Sequence, residues 1–168
     1  TRADILSGIL NGLDVKIWDP ATDSALFTKY DSATLEKRTE NKARLQSILG
    51  LPVNPTIPLL AMITRMDPQK GVDIAVEGLR RASELDWQAV ILGTGIPHVE
   101  AAVRSLQDEY PDRVCAEIRY DAKLSREIYA GADLLLMPSR YEPCGLAQMI
   151  AMRYGCVPLG RATGGLAD

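Results

Sequence analysis

The chain has 168 residues, of which 46% are hydrophobic and 24% charged, and its 19 basic and 22 acidic side chains give a net charge of −3. This length and apolar content predict one folded domain and exclude a disordered tail or a membrane span, since no run of about 18 apolar residues occurs. The mildly acidic balance gives no general footprint for nucleic acid or an anionic membrane, so any bound anion must be held by a local site.

The histidine and cysteine content narrows the chemistry further. His98 is the only histidine, which excludes most zinc sites and every mechanism that needs two histidines. Cys115, Cys144 and Cys156 are odd in number and form no CxxC pair, which is typical of a reducing compartment, so we expect a cytoplasmic protein, or a plastid one in a plant. The chain begins without methionine and ends in TGGLAD, so we expect it to be a piece of a longer protein.

Residues 1–30 are rich in turn residues and predict a fixed loop. A helix is predicted over 34–49, with Ser32 as its N-cap and Gly50 at its end. From position 59, short apolar runs alternate with helical stretches, which predicts a Rossmann-like, doubly wound α/β domain whose parallel sheet has at least five strands. The predicted strands are 59–64, 89–93, 113–119, 133–138 and 156–160, and the predicted helices are 72–85, 98–109, 123–130 and 146–153.

In such a sheet ligands bind at the carboxyl ends of the strands, so we expect the functional residues in the loops that follow the strands. After the first strand, Arg65 and Lys70 in RMDPQKG open onto a helix N-terminus, an arrangement that suits a phosphate. The alternative is two solvated cations on a loop. The segment lacks the GxxxxGK[ST] pattern of a phosphate-binding P-loop.

The next two loops give weaker signals. The segment 93–95, GTG, has too few glycines for a dinucleotide signature and favours a tight strand-to-helix turn. Tyr120 can stack on a base, or it can simply cover the sheet. Asp121, which follows it, is expected to cap the next helix.

The loop after the fourth strand, SRYEPCGL, places Glu142 where a phosphate cleft is expected. A carboxylate there suits a sugar or a developing positive charge; the alternative is a salt bridge to Arg140 or Arg153. Cys144 has no histidine nearby in sequence to activate it as a nucleophile. The glycine-rich 163–165 loop is either an anion-binding nest or a plain loop. No DxD pair occurs, so we expect no metal site and no cofactor.

Together these segments resemble the bacterial glycogen synthases and plant starch synthases, which are retaining glycosyltransferases of the two-Rossmann-domain (GT-B) type. The resemblance spans essentially the whole chain in the family's order, and SRYEPCGL followed by TGGLAD is its most specific part. The matching segments are GILNGLD (8–14), WDP (18–20), RMDPQKGVD (65–73), GAD (131–133), PSRYEPCGL (138–146), AMRYG (151–155) and TGGLAD (163–168).

The resemblance implies a role for each position. Arg65 and Lys70 would hold the diphosphate of a nucleotide-glucose donor and stabilise the leaving group. Tyr120 would stack near the adenine, and Glu142 would lie beside the donor glucose. Further donor-site positions implied by the resemblance are the backbone of Cys144, Gly145 and Leu146 around the sugar and phosphate, Thr163, Gly164 and Gly165 near the distal phosphate, and Asn11 at the cleft edge.

The chain also departs from the pattern. Ile150 stands where many retaining transferases of this fold have a second glutamate, and Ile96 stands where an N-cap aspartate is common. No KxGGL segment occurs, and the resemblance assigns that donor loop and the acceptor glucan site to an N-terminal domain. Residues 1–168 are therefore expected to form the single C-terminal, nucleotide-sugar-binding domain.

The implied whole enzyme transfers glucose from ADP-glucose or UDP-glucose to the nonreducing end of an α-1,4-glucan, with retention. One alternative is a retaining transferase with another acceptor, as in sucrose or trehalose synthesis. The other is a nonenzymatic nucleotide-sugar-binding module. We expect the isolated chain to fold and bind ADP weakly, but to elongate no glucan.

Overall fold

The computed structural model describes residue 9 and residues 11–167, and it contains a five-stranded parallel sheet between two helical layers. All five predicted strands are confirmed, and each end of each strand lies within two residues of the predicted end. The strands are β1 (Leu59–Ile63), β2 (Gln88–Leu92), β3 (Val114–Glu117), β4 (Leu134–Met137) and β5 (Val157–Gly160), and the helices are α1 (Arg38–Ile48), α2 (Val72–Arg81), α3 (Pro97–Glu109), α4 (Ala122–Gly131) and α5 (Leu146–Arg153).

The strand order is β3-β2-β1-β4-β5, so the winding direction reverses between β1 and β4. These two central strands pair in parallel, with Leu60 opposite Leu134. One apolar cluster packs α2 and α3 against one face, and a second packs α1, α4 and α5 against the other. Burial on both faces explains why the strands are continuous apolar runs. The reversal between β1 and β4 opens a crevice at their carboxyl ends, where ligands of such sheets bind.

Local signals predicted some helix boundaries and missed others. Asp121 is confirmed as the N-cap of α4, since its carboxylate accepts the Leu124 N–H at 2.9 Å. The prediction that Ser32 caps α1 is wrong. Asp31 takes the local hydrogen bonds instead, accepting from the Ala33 N–H and the Thr34 hydroxyl, and α1 begins only after a short 3₁₀ turn.

The turn-rich segment before α1 is fixed against the core, as predicted for the part that the structure describes. The Trp18 ring packs edge-on against Tyr129 and Tyr154, and the Arg126 guanidinium lies 4.3 Å from its centroid. The buried Asp23 carboxylate accepts hydrogen bonds from the Tyr154 hydroxyl at 2.5 Å and from Arg126 at 2.8 Å. Burial raises the pKa of Asp23, but these hydrogen bonds outweigh it and lower that pKa overall.

No helix among the residues described is long and apolar enough to cross a membrane.

Candidate active site

The loops after β1 and β4 meet over the crevice. Asp67 caps the short 3₁₀ helix Pro68–Lys70, its carboxylate accepting the Lys70 N–H at 3.1 Å. Gly71 follows in the left-handed conformation (φ +68°), and a Cβ there would lie 2.2 Å from the Pro138 carbonyl oxygen. Only glycine therefore permits this approach of the two loops.

Lys70 and Glu142 form an ion pair across this contact. Lys70 Nζ lies 2.6 Å from Glu142 Oε2, and the Ser139 hydroxyl donates to the same oxygen at 3.2 Å. The two charged side chains are only 19% and 12% exposed, and Ser139 is buried. All three border a cavity of about 220 Å³ that also contacts Thr64. An ammonium and a carboxylate are thus held together at a concave, accessible site.

The alternative pairing of Glu142 with Arg140 or Arg153 is wrong. Arg140 instead makes a bidentate ion pair with Asp73 in the first turn of α2, and Arg153 pairs with Asp19 at 3.0 Å. Both guanidinium groups are therefore paired with other carboxylates, and Lys70 is the cation that pairs with Glu142.

A second cavity of about 300 Å³ lies beside the first, at the ends of β1, β2 and β3. Arg65 and Tyr120 both border it, so two residues predicted for one ligand share one depression. The Arg65 guanidinium pairs with Asp67 at 2.8 Å, and its side chain is 67% exposed. Tyr120 is 87% exposed and does not cover the sheet, so its ring is accessible to a flat ligand.

The glycine-rich loop after β5 packs on the backbone of the Glu142 loop. The Gly165 N–H donates to the Glu142 carbonyl at 2.8 Å. Gly164 has φ +49°, and a Cβ there would lie 2.2 Å from that same carbonyl oxygen. The predicted 163–165 loop is therefore in contact with the loop that carries Cys144, whose thiol is exposed. Gly145 (φ +70°) precedes α5, whose first residue, Leu146, borders the smaller cavity.

One predicted residue is not brought into these contacts. Asn11 is exposed, and no hydrogen bond joins it to another residue in the described part of the chain.

Two further residues that hold the loops of the site, Ser139 and Glu100, were not predicted from the sequence. Ser139 lies three residues before Glu142, a spacing that a buried hydroxyl partner can use. Glu100 accepts from the Gly95 N–H at 2.7 Å and from the Thr94 hydroxyl at 2.8 Å, and so ties the turn before α3 to the first turn of that helix, while Ile96 at the N-cap provides no side-chain acceptor.

The residues that the structure describes contain no group of three or more His, Cys, Asp or Glu side chains placed to hold a metal ion. Among the described residues, Arg65 and Lys70 supply cations from the loop after β1, and Arg119, which pairs with Glu117 and Asp121, also borders the Arg65–Tyr120 cavity.

Residues 57–168 match the family described as Glycosyl transferases group 1. The chain belongs to this family. Over 167 residues it is 51% identical to the glycogen synthase of Thermotoga maritima, a match that covers 99% of the chain and 34% of that protein. The predicted resemblance is thereby confirmed, and the chain spans about a third of the length of the curated relatives it matches.

Solved structures agree with the fold prediction. The catalytic domain of starch synthase IV from Arabidopsis thaliana, bound to ADP and acarbose, superposes with a TM-score of 0.90 and 44% identity, covering 96% of this chain and 34% of that one. A sucrose-phosphate synthase from Thermosynechococcus elongatus gives a TM-score of 0.59 and 29% identity over 74% of this chain and 32% of that one. The architecture is therefore a Rossmann-like domain of a GT-B glycosyltransferase.

Proposed function

We propose that this chain is the C-terminal, donor-binding domain of an α-1,4-glucan synthase. The whole protein would transfer glucose from ADP-glucose or UDP-glucose to the nonreducing end of a glucan, with retention. The observation that carries this proposal is the Lys70–Glu142 pair at the β1/β4 crevice, beside the cavity of Arg65 and Tyr120. Its support is the similarity to glycogen and starch synthases across nearly the full chain.

Two cations serve the diphosphate in this proposal. Arg65 and Lys70 lie on one loop, and each borders one of the two neighbouring cavities. A nucleoside diphosphate that spans these cavities would place its base at Tyr120 and its phosphates between the cations. As the glycosidic bond to the diphosphate breaks, the leaving oxygen gains negative charge, and fixed cations lower the energy of that transition state.

In this proposal Glu142 stabilises the positive charge that develops on the donor sugar. The anomeric carbon becomes oxocarbenium-like during glucosyl transfer, and a carboxylate held beside it stabilises the positive charge. Ser139 fixes the rotation of this carboxylate by its hydrogen bond. The N–H groups of Leu146 and Ala147, which begin α5 after Gly145, precede the first helical hydrogen bonds and suit an oxygen of the sugar or phosphate. The 163–165 loop would lie near the distal phosphate, and Asn11 would approach the sugar from the edge of the cleft.

The acceptor site and the lysine–glycine donor loop belong to the remainder of the longer protein in this proposal. Retaining transfer needs donor and acceptor held together in a closed, water-poor cleft. This chain supplies the donor charges alone, so we expect it to bind ADP but to elongate no glucan.

The test has two arms. Calorimetric titration of the chain with ADP should show binding in the high micromolar range or weaker, on the order of −5 kcal/mol, because half of the cleft is missing. Absence of binding at millimolar ADP would refute a donor site here. A screen of the longer protein with ADP-glucose and UDP-glucose against glycogen, fructose 6-phosphate and glucose 6-phosphate then decides the acceptor. Transfer to a sugar phosphate alone would support the sucrose or trehalose type, and donor binding without transfer would support a binding module.

A further inference from the structure

Arg140 ties the loop after β4 to the loop after β1. Its guanidinium donates to both carboxylate oxygens of Asp73 at 2.7 Å and to the Pro68 carbonyl at 2.8 Å. Its backbone N–H donates to the Gln69 carbonyl at 2.8 Å. All four bonds reach residues 68–73, the segment that carries Lys70. Arg140 itself lies two residues before Glu142.

We propose that Arg140 and Asp73 are a positioning pair, the Arg140–Asp73 clasp, which sets Lys70 against Glu142 and so presents Lys70 to the donor diphosphate. Neither residue borders the Lys70–Glu142 cavity or the Arg65–Tyr120 cavity. Their effect on a ligand therefore passes through the two loops. This inference rests on the proposed function, because its readout is ADP binding.

The exposure of the clasp argues for positioning over stabilisation. The Arg140 and Asp73 side chains are 42% and 61% exposed, and ion pairs this open to solvent contribute little to folding free energy. A bidentate pair nevertheless fixes orientation, since two parallel N–H···O bonds allow one geometry. The Arg140 guanidinium also lowers the pKa of Asp73, chiefly through these hydrogen bonds, so the pair stays charged at neutral pH.

The variant Asp73→Ala distinguishes positioning from a purely electrostatic effect of the Asp73 charge, because the two predict opposite changes in ADP affinity. If Asp73 acted only through its charge, removing a negative charge near an anion site would tighten ADP binding. If it holds the loops, its removal frees Lys70 and weakens ADP binding. We expect Asp73→Ala and Arg140→Ala each to weaken ADP binding by about tenfold, with adenosine affinity unchanged, since adenosine lacks the phosphates that Lys70 would bind.

Arg80→Ala is the matched control. Arg80 makes a comparable bidentate pair with Glu109 that joins α2 to α3, with side chains 36% and 41% exposed, away from both loops. It should lower the melting temperature as much as the clasp variants do and leave ADP affinity unchanged.

The double variant Asp73→Ala/Arg140→Ala should bind ADP no more weakly than Arg140→Ala alone, because a pair is lost only once. Arg140→Lys, which keeps one bond, should bind with intermediate affinity and remains informative if the alanine variant unfolds. Wild-type or tighter ADP binding by Asp73→Ala, with the wild-type chain binding ADP normally, would overturn the clasp. Failure of the wild-type chain to bind ADP would instead overturn the proposed function.

Discussion

Replacing Lys70 by alanine tests the centre of the proposed donor site. The substitution removes the ammonium 2.6 Å from Glu142 Oε2 and leaves that carboxylate, 12% exposed, with the Ser139 hydroxyl as its remaining side-chain partner. An unpaired charge in a fully buried site costs about 3–5 kcal/mol, and the partial exposure here reduces this to roughly 1–2 kcal/mol. The melting temperature should therefore fall by a few degrees.

The effect on ligand binding should be larger and selective. A hydrogen bond to a charged group is worth about 1.5–3 kcal/mol, so the loss of Lys70 should weaken ADP binding by roughly 10- to 150-fold. Adenosine should bind as it does to the wild-type chain, because in the proposed site its contacts would lie in the Arg65–Tyr120 cavity. Calorimetric titration of each ligand into wild-type and variant chains, at a temperature where both are folded, measures this difference.

Lys42→Ala provides the control for lost stability. Lys42 Nζ lies 2.7 Å from Asp133 Oδ2 at the amino ends of the central strands, and its side chain is only 8% exposed. Breaking this pair should destabilise the chain at least as much as Lys70→Ala and leave ADP affinity unchanged. Equal losses of ADP and adenosine affinity in Lys70→Ala would refute the reasoning, since Lys70 would then not contact phosphate.

Three further predictions follow from the same structure. In the longer protein, Glu142→Gln should lower turnover by about a hundredfold or more with little change in donor KM. A variant with a lower melting temperature but full activity per folded molecule would show that Glu142 has only a structural role. Because the pKa of Asp23 is lowered on folding, its ionised form stabilises the chain above its unfolded pKa of about 3.9, and this stabilisation is lost as pH falls through the folded pKa. Urea unfolding should thus show Asp23→Asn less stable than wild type at pH 7, with the difference shrinking below about pH 4; a constant difference would contradict the assigned charge. Burial raises the pKa of both Cys115 and Cys156 to about 12, so only the exposed Cys144 thiol should react rapidly with a disulfide reagent in the native chain, and ADP should slow that reaction. Rapid reaction of more than one thiol would contradict this.

The strands could be predicted from sequence because their signal is local and redundant. A run such as LLAMI must be apolar on both sides to lie in the middle of this sheet, and Asp67 and Gly71 then mark the turn into α2. Helix ends were less predictable. The expected helix over 72–85 ends at Arg81, and the Trp87 indole instead donates to the Ala82 carbonyl, a contact that periodicity does not encode.

The pairing of charges could not be predicted, because it depends on how two distant loops meet. Lys70 and Glu142 are 72 residues apart, and Arg140 and Asp73 are 67 apart. From sequence, Arg140 is the obvious partner for Glu142, two residues away. In the fold the β4 loop lies against Gln69 and turns the Arg140 side chain toward α2, so the nearer arginine is taken by Asp73 and the more distant lysine reaches the carboxylate.

The Lys70–Glu142 pair also affects how the proposed site would stabilise the charges that develop on the leaving diphosphate and on the sugar. Lys70 and Glu142 neutralise each other at 2.6 Å, so neither charge is left unpaired where both side chains are largely shielded from solvent. A bound diphosphate would compete with Glu142 for the same ammonium, since it carries more negative charge than one carboxylate. If Lys70 turned toward the phosphates, Glu142 would lose its counter-ion and its full negative charge would face the sugar. In this proposal the carboxylate becomes most effective at stabilising an oxocarbenium only when the leaving group is already held, which couples donor binding to the chemical step.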